Sequence, residues 1–416
     1  MIAKISKKSI LDILSMMNKY PDVFIKGNAM RYLFIEFEKE LIRIIHDRES
    51  YVLVNEMIPS QIVNAFDIPH IVDEQFVVFN SAFADIQKFI NITRQSFSFK
   101  DNCSYYNVLT GMLHSGAIPY PTYSLTASLF CDWCAKTVEL LSRRKRIKHS
   151  LVDIPSDNDS ESLQYTAEQL EKATIEMCEI FNIRYDKNIV EQAYYLSKQA
   201  KELDRTLDNL INSAPPVIRG IELYNFKMLC YHFLGTEIAV KAMKLFIEGV
   251  RDKINNGDFL YGEKHYIVSA WFHIPPLHSN KLLVQIEKKH QLYLRYCMLA
   301  DWDWIAPEDD SNVYISLAKQ IFKSPNHGTT ADILEKFEKK VNQYNIKAIL
   351  NFQHKNCIPF AGYTKILSNY FTRKGIHVLE INGDAVDIKA MNEGQLLTRI
   401  EAFGESLALE YEGINT

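Results

Sequence analysis

Long apolar runs are missing from this chain: none approaches the roughly 18 residues that a membrane-spanning helix requires, so no spanning segment is expected. Charge of one sign is missing too. Lys and Arg number 47 against 51 Asp and Glu, a formal net charge of −4, and no global basic field points to nucleic acid. Glycine (15) and proline (13) are few for 416 residues, which favours a helix-rich fold over a turn-rich one. The glycine loops GxGxxG and GxxxxGK(S/T) and the serine elbow GxSxG do not occur, so nucleotide binding and serine hydrolysis have no motif support. Cysteine is scarce as well, 7 in all. That odd count follows an N-terminus, MIAKISKKSILDILSMMNKY, with lysines but no apolar core or small-residue cleavage site. Reduced thiols and a cytoplasmic protein are the expectation.

What is present is the profile of a soluble globular protein, 47% hydrophobic and 24% charged, long enough for two domains. Apolar spacing predicts a helix over 28–47 and another over 58–66, whose first turn tolerates Pro59. The runs HIV (70–72), TASLF (126–130) and HSLVDIP (149–155) read as short strands, with the helical CDWCAKTVELLSRRK between the last two. The polar, acidic SDNDSES (156–162) reads as a hinge. Helical patterns follow at about 165–182 and 188–212, stopped by Ala-Pro-Pro (214–216), and again over 219–255. Alternation then returns: a helix ADILEKFEKKVNQYN, a strand KAILNF (347–352) and a helix IPFAGYTKILSNYFTRKG closed by Gly375. A strand IHVLEI and a helix EGQLLTRIEAFGESLALEY complete it. Such alternation signifies parallel sheets with crossover helices. The expected fold class is α/β, two domains each with a short parallel sheet flanked by helices and a helical middle segment. The expected divisions are an N-terminal helical segment 1–48, an α/β domain 49–160, a helical linker 161–215 and a second α/β domain 216–416.

Three cysteines share a setting. Cys131 follows TASLF, Cys357 follows KAILNF in the loop FQHKNC, and Cys103 precedes a helix in DNCSYYNVLTGMLHSG. In open parallel sheets, ligands bind beyond the carboxyl ends of the strands. A thiol at a helix N-terminus also meets positive partial charge, which favours the thiolate, a ligand for soft metals. Taken singly, each of the three still reads as a small apolar filler before it reads as a ligand. Cys178, Cys230 and Cys297 lie in apolar helical patterns and read as filler. Cys134 lies three residues past Cys131 on about the same helix face, with no second CxxC to complete a zinc ribbon. The run SRRKRIK (142–148) offers cations that suit phosphates, but better suits the closing turn of a helix.

The stretches CSYYNVLTGMLHSG, ASLFCDWCAK, NFQHKNCIPF and GIHVLEINGDAVD…EGQLLTRIEAF together resemble the 2-hydroxyacyl-CoA dehydratase/benzoyl-CoA reductase family. That family includes the dehydratase D-component and double-cubane cluster proteins. The resemblance runs in order from about residue 50 to 410, and its most specific part is the C-terminal block with Asn-Gly-Asp and Thr-Arg-Ile-Glu-Ala. It implies that Cys103, Cys131 and Cys357 bind a [4Fe–4S] cluster in the interdomain cleft, leaving one iron without a cysteine. Cys134 would then pack beneath its helix or serve as an auxiliary thiol.

The implied function is that of an iron–sulfur subunit of a radical 2-hydroxyacyl-CoA dehydratase, or a sibling acyl-CoA reductase. An ATP-hydrolysing activator would deliver a low-potential electron through the cluster to the thioester carbonyl of an acyl-CoA. The resulting ketyl radical permits elimination of water. The implied assembly is a dimer with a second copy or a paralogous subunit, with neither nucleic acid nor membrane as partner. Glu74 matches an acidic residue that the family holds near the cluster; at a strand end it would serve as acid or base, against the ordinary reading of a solvated carboxylate. His354 would donate a proton to a departing hydroxide, against the reading of a surface loop histidine. Glu56 stands where the dehydratases place a serine near the substrate, and His354-Lys355-Asn356 where the family often has an Asn-Arg-Ser type of sequence. Both departures bear on the substrate and on the dehydratase activity itself. Two rival readings remain: a double-cubane electron-transfer protein reducing small molecules, which would need about six cysteines, and a non-catalytic partner subunit.

Overall fold

The computed structural model describes residues 28–414 apart from 46, 84–85, 98–101, 130, 263–264, 277–279 and 308–311. Residues 1–27, most of the segment set off at 1–48, lie outside the described residues. Short apolar runs between helices pair as two four-stranded sheets. The first holds β1 (Val52–Val54), β2 (His70–Val72), β3 (Tyr123–Ala127) and β4 (Lys148–Val152) in the order β2-β1-β3-β4. The second holds β5 (Ile267–Phe272), β6 (Leu292–Cys297), β7 (Ala348–His354) and β8 (His377–Gly383) in the order β6-β5-β7-β8. Every pairing is parallel. β1 and β3 are buried along their whole length, as strands covered on both faces must be, while the edge strand β4 carries exposed residues and Lys148. The α/β class with two parallel sheets is as the alternation predicts.

Both sheets share one winding. The chain leaves β1 for β2 on one side and returns to β3 on the other, and repeats the move from β5 through β6 to β7. Such a reversal opens a crevice at the carboxyl ends of the two central strands. The helical middle, Ser160–Ile180, Lys187–Asn212, Gly220–His232 and Glu237–Asn255, joins the two halves. Asn64 Nδ2 donates to the carbonyls of His232 and Leu234, both at 2.8 Å, and Ser60 Oγ donates to that of Tyr231 at 3.0 Å. Gln61 Nε2 reaches Gln320 Oε1 at 2.9 Å. A single apolar cluster runs from Val54 and Leu125 through Phe226 to Trp271 and Leu350, and so belongs to both sheets. Among the described residues, no helix is long and apolar enough to cross a membrane.

Several local expectations shift. Only Gln61–Asn64 of 58–66 is helical, because the side chains of Ser60 and Asn64 are taken by the middle helices and Asp67 turns the chain at φ 50°. The third strand starts and ends three residues before TASLF does, so Cys131 does not directly follow a strand. The end of the acidic stretch 156–162 is the start of helix Ser160–Ile180, with the Asp159 carboxylate accepting the Ser162 N–H at 2.7 Å. Residues 358–375 break at Gly362–Tyr363 into helices Ile358–Ala361 and Thr364–Arg373; Gly375, at φ 76°, does follow the end. Cys297 ends strand β6 and is not helical, since LYLRYC is a short run buried through Tyr296 that pairs with β5.

Gly111 sits where helix Ser104–Ser115 crosses helix Gln87–Phe97, and a Cβ there would fall 2.1 Å from the carbonyl oxygen of Phe89. Backbone cannot yield as a flexible side chain does. Gly111→Ala is therefore expected to force the two helices apart at a cost of roughly 1–3 kcal/mol. Chemical denaturation followed by circular dichroism checks this, and an unchanged midpoint would contradict so close a crossing.

Candidate functional site

Three loops deliver three cysteines to one place. Cys103 is the N-cap of helix Ser104–Ser115, Cys131 that of Asp132–Lys145 and Cys357 that of Ile358–Ala361. All three line one apolar cavity between the sheets, together with Glu56, Glu74, Tyr224 and His354. The strands set these positions. Glu56 follows β1, Glu74 follows β2, Cys131 follows β3, and His354 ends β7 three residues before Cys357. The carboxyl ends of both sheets thus face the same cavity, and the residues singled out in the sequence meet there.

The helix N-termini do not make thiolates of these cysteines. Burial pushes the Cys103 thiol well above the ordinary cysteine range, and the neighbouring Cys131 and Cys357 push it further. Cys131 is raised by burial and then by Glu74, and Cys357 by burial to about 11. Backbone N–H groups at the helix starts pull the other way without prevailing. Desolvation outweighs the helix dipole here, against the expectation of favoured thiolates. A metal would have to displace the protons itself. Among the described residues, the groups whose donor atoms all lie within 4.8 Å of one another do not include this cysteine trio.

Cys134 stands off the cavity. Its sulfhydryl donates to Asp73 Oδ2 at 3.1 Å and accepts from Asn55 Nδ2 at 3.3 Å. The CxxC therefore divides, Cys131 facing the cavity and Cys134 packing behind Glu74. Glu74 is not at a strand end but in the first turn of helix Asp73–Phe83, where acidic residues suit the dipole. Its carboxylate accepts from Tyr106 Oη at 2.5 Å, Asn55 Nδ2 at 3.1 Å and the Glu56 N–H at 3.2 Å. Burial, and then the charge of Glu74, pushes the Glu56 carboxyl up to about 8, so it carries a proton at neutral pH. Burial and Glu74 likewise raise Asp73.

His354 is not a surface residue: it is 1% exposed. Nδ1 accepts the Ala385 N–H at 2.9 Å, and Nε2 lies 3.4 Å from Cys103 Sγ. Ala385 belongs to the turn that follows Asn-Gly-Asp, so that stretch of the C-terminal block supports the histidine. Asn356 Nδ2 also donates to the Asn102 carbonyl at 3.3 Å, tying the loop of Cys357 to that of Cys103.

Tyr224 was not legible as a site residue. It comes from the helical middle, yet lines the cavity, and its buried hydroxyl meets no hydrogen-bond partner among the described residues. On its other side lies a cavity of about 260 Å³ whose Asp204, Lys227, Asp301 and Lys340 pair with one another. A separate group, Glu40, His70 and His232, brings a carboxylate between two imidazoles. Its rings stack in parallel 4.0 Å apart, so their in-plane lone pairs do not converge on one ion, and the group reads as a buried hydrogen-bonded clamp in which Glu40 meets the His70 backbone N–H at 2.8 Å and His232 Nε2 at 2.7 Å.

A family model described as 2-hydroxyglutaryl-CoA dehydratase, D-component, matches residues 56–407. No curated protein matches the chain.

The buried acid supplies a test. Folded, Glu56 keeps its proton up to about pH 8; unfolded, it loses it near the ordinary value of about 4.3. Between those values the folded state binds more protons, so stability falls as pH rises through the window. Glu56→Gln is expected to gain stability relative to wild type between about pH 5 and pH 9. Urea unfolding across that range measures it; parallel profiles would place the carboxyl in water.

Proposed function

The chain belongs to the 2-hydroxyglutaryl-CoA dehydratase D-component family, and from that premise we propose that Cys103, Cys131 and Cys357 hold a [4Fe–4S] cluster with one iron free of cysteine. The protein is then the iron–sulfur subunit of an enzyme that dehydrates a 2-hydroxyacyl thioester. The observation that carries this reading is the convergence of three helix-capping cysteines, from three loops, on one apolar cavity. Bound there, the cluster would supply a low-potential electron and an exchangeable iron position.

The chain's own residues do the rest. Glu56 holds a proton at neutral pH and is the group placed to hand it to a departing oxygen. Glu74, fixed as the acceptor of three hydrogen bonds, is held in place beside it as a positioned carboxyl group. The Tyr224 hydroxyl offers a donor to a carbonyl oxygen, and Val78, Met228, Ile274 and Leu299 keep water out. An ATP-hydrolysing activator as electron source and a second subunit, a copy or a paralogue, complete the proposed assembly. Three cysteines at the cavity favour a single cluster over a double cubane, which needs about six.

Protein purified without oxygen is expected to be brown, to hold about four irons and matching sulfide per chain, and to bleach in air. Cys103→Ala, Cys131→Ala and Cys357→Ala should each lose the iron, and Cys134→Ala should keep it. A colourless folded protein with stoichiometric zinc would overturn the reading. Equal iron loss in Cys134→Ala would mean a closed four-thiolate site instead.

A further inference from the structure

His354 is poorly placed to give its proton to a substrate, because both ring nitrogens already face partners in the protein. A neutral imidazole carries one N–H, and the nitrogen that accepts a hydrogen bond is the one without it. The Ala385 N–H points at Nδ1 from 2.9 Å, so the hydrogen resides on Nε2, which is 3.4 Å from Cys103 Sγ. We infer that His354 is a positioning residue whose Nε2–H donates to the Cys103 sulfur and thereby sets the reduction potential of the site. The inference rests on the proposal that Cys103 is a cluster ligand.

The surroundings fix this tautomer. Asp384 Oδ1 accepts from Val386 N–H at 2.9 Å and Asp387 N–H at 2.7 Å, which folds the turn that presents the Ala385 amide. The same oxygen accepts from Ser104 Oγ at 2.7 Å, next to Cys103, so one carboxylate holds both ends of the N–H···S contact. Asp384 Oδ1 is 3.8 Å from His354 Nδ1, beyond hydrogen-bond distance, and does not compete with the amide. The Tyr105 ring meets the imidazole edge-on, 5.4 Å between centroids at 85°, and limits its rotation. A donor aimed at a ligand sulfur stabilises the more negative, reduced cluster and raises its potential.

Redox titration of the anaerobic protein, followed by electron paramagnetic resonance, tests the inference. His354→Leu is expected to disfavour reduction about tenfold, a fall of roughly 59 mV for a one-electron couple. His354→Gln, which keeps an N–H near the Nε2 position, should restore most of it. Wild-type protein labelled with ¹⁵N-histidine provides a readout that needs no variant to fold: the reduced cluster should show a weak ¹⁵N coupling and an exchangeable-proton coupling. A full cluster with wild-type potential in His354→Leu, or without those couplings in the wild type, would overturn this inference and leave the cluster reading standing. Wild-type protein that assembles no iron–sulfur cluster would overturn the reading beneath it.

Discussion

Desolvation of three thiols and three carboxyl groups around one apolar cavity is the constraint on which this structure depends. Each group left alone there would cost several kcal/mol if charged. The protein meets that cost in two ways. Cys103, Cys131 and Cys357 stay neutral, as does Glu56, while Glu74 receives three donors. Asp73 is likewise raised and shares its proton environment with Cys134. A cavity arranged this way tolerates buried acids with no lysine or arginine lining it among the described residues.

Such a cavity can exist only if the two sheets present their carboxyl ends to each other. The repeated winding order provides each half with one crevice, and the middle helices hold the crevices face to face. The contacts of Ser60, Gln61 and Asn64 with Tyr231, His232 and Gln320 lie just beyond β1, next to Glu56. Tyr231 Oη also donates to the Glu56 carbonyl at 2.9 Å. The joint between the halves therefore meets the wall of the site at Glu56, which couples packing to chemistry.

Short apolar runs made β2, β3, β4, β7 and β8 and the three cysteine loops legible, whereas the central strands β1 and β5 and the edge strand β6 were not read from the sequence. Boundaries were less legible. Leu129 and Phe130 prolong the apolar run past the end of β3, and nothing local marks where pairing stops. The short helix near Pro59 lost residues to contacts more than 150 positions away, which no local spacing records. Glu74 was placed at a strand end because HIV stops there, although Asp73-Glu74 is equally an acidic first helical turn. Tyr224 and the Ala385 amide were out of reach for a different reason: one arrives from a distant helix, and the other is a backbone group with no side-chain signature.

The neutral thiols bear on how the proposed cluster and the proton donor act together. Ionising three buried cysteines requires a metal to supply the driving force, so loading releases protons into a site that already disfavours negative charge. Thiolates held there add charge beside Glu56 and Glu74, and like charge raises a carboxyl's hold on its proton. In the proposed assembly, Glu56 would therefore keep its proton more firmly with the site loaded than without it. A carboxyl at position 56 then has a physical sense: it carries a proton because of its surroundings, which in the proposed assembly would include the cluster-holding cysteines.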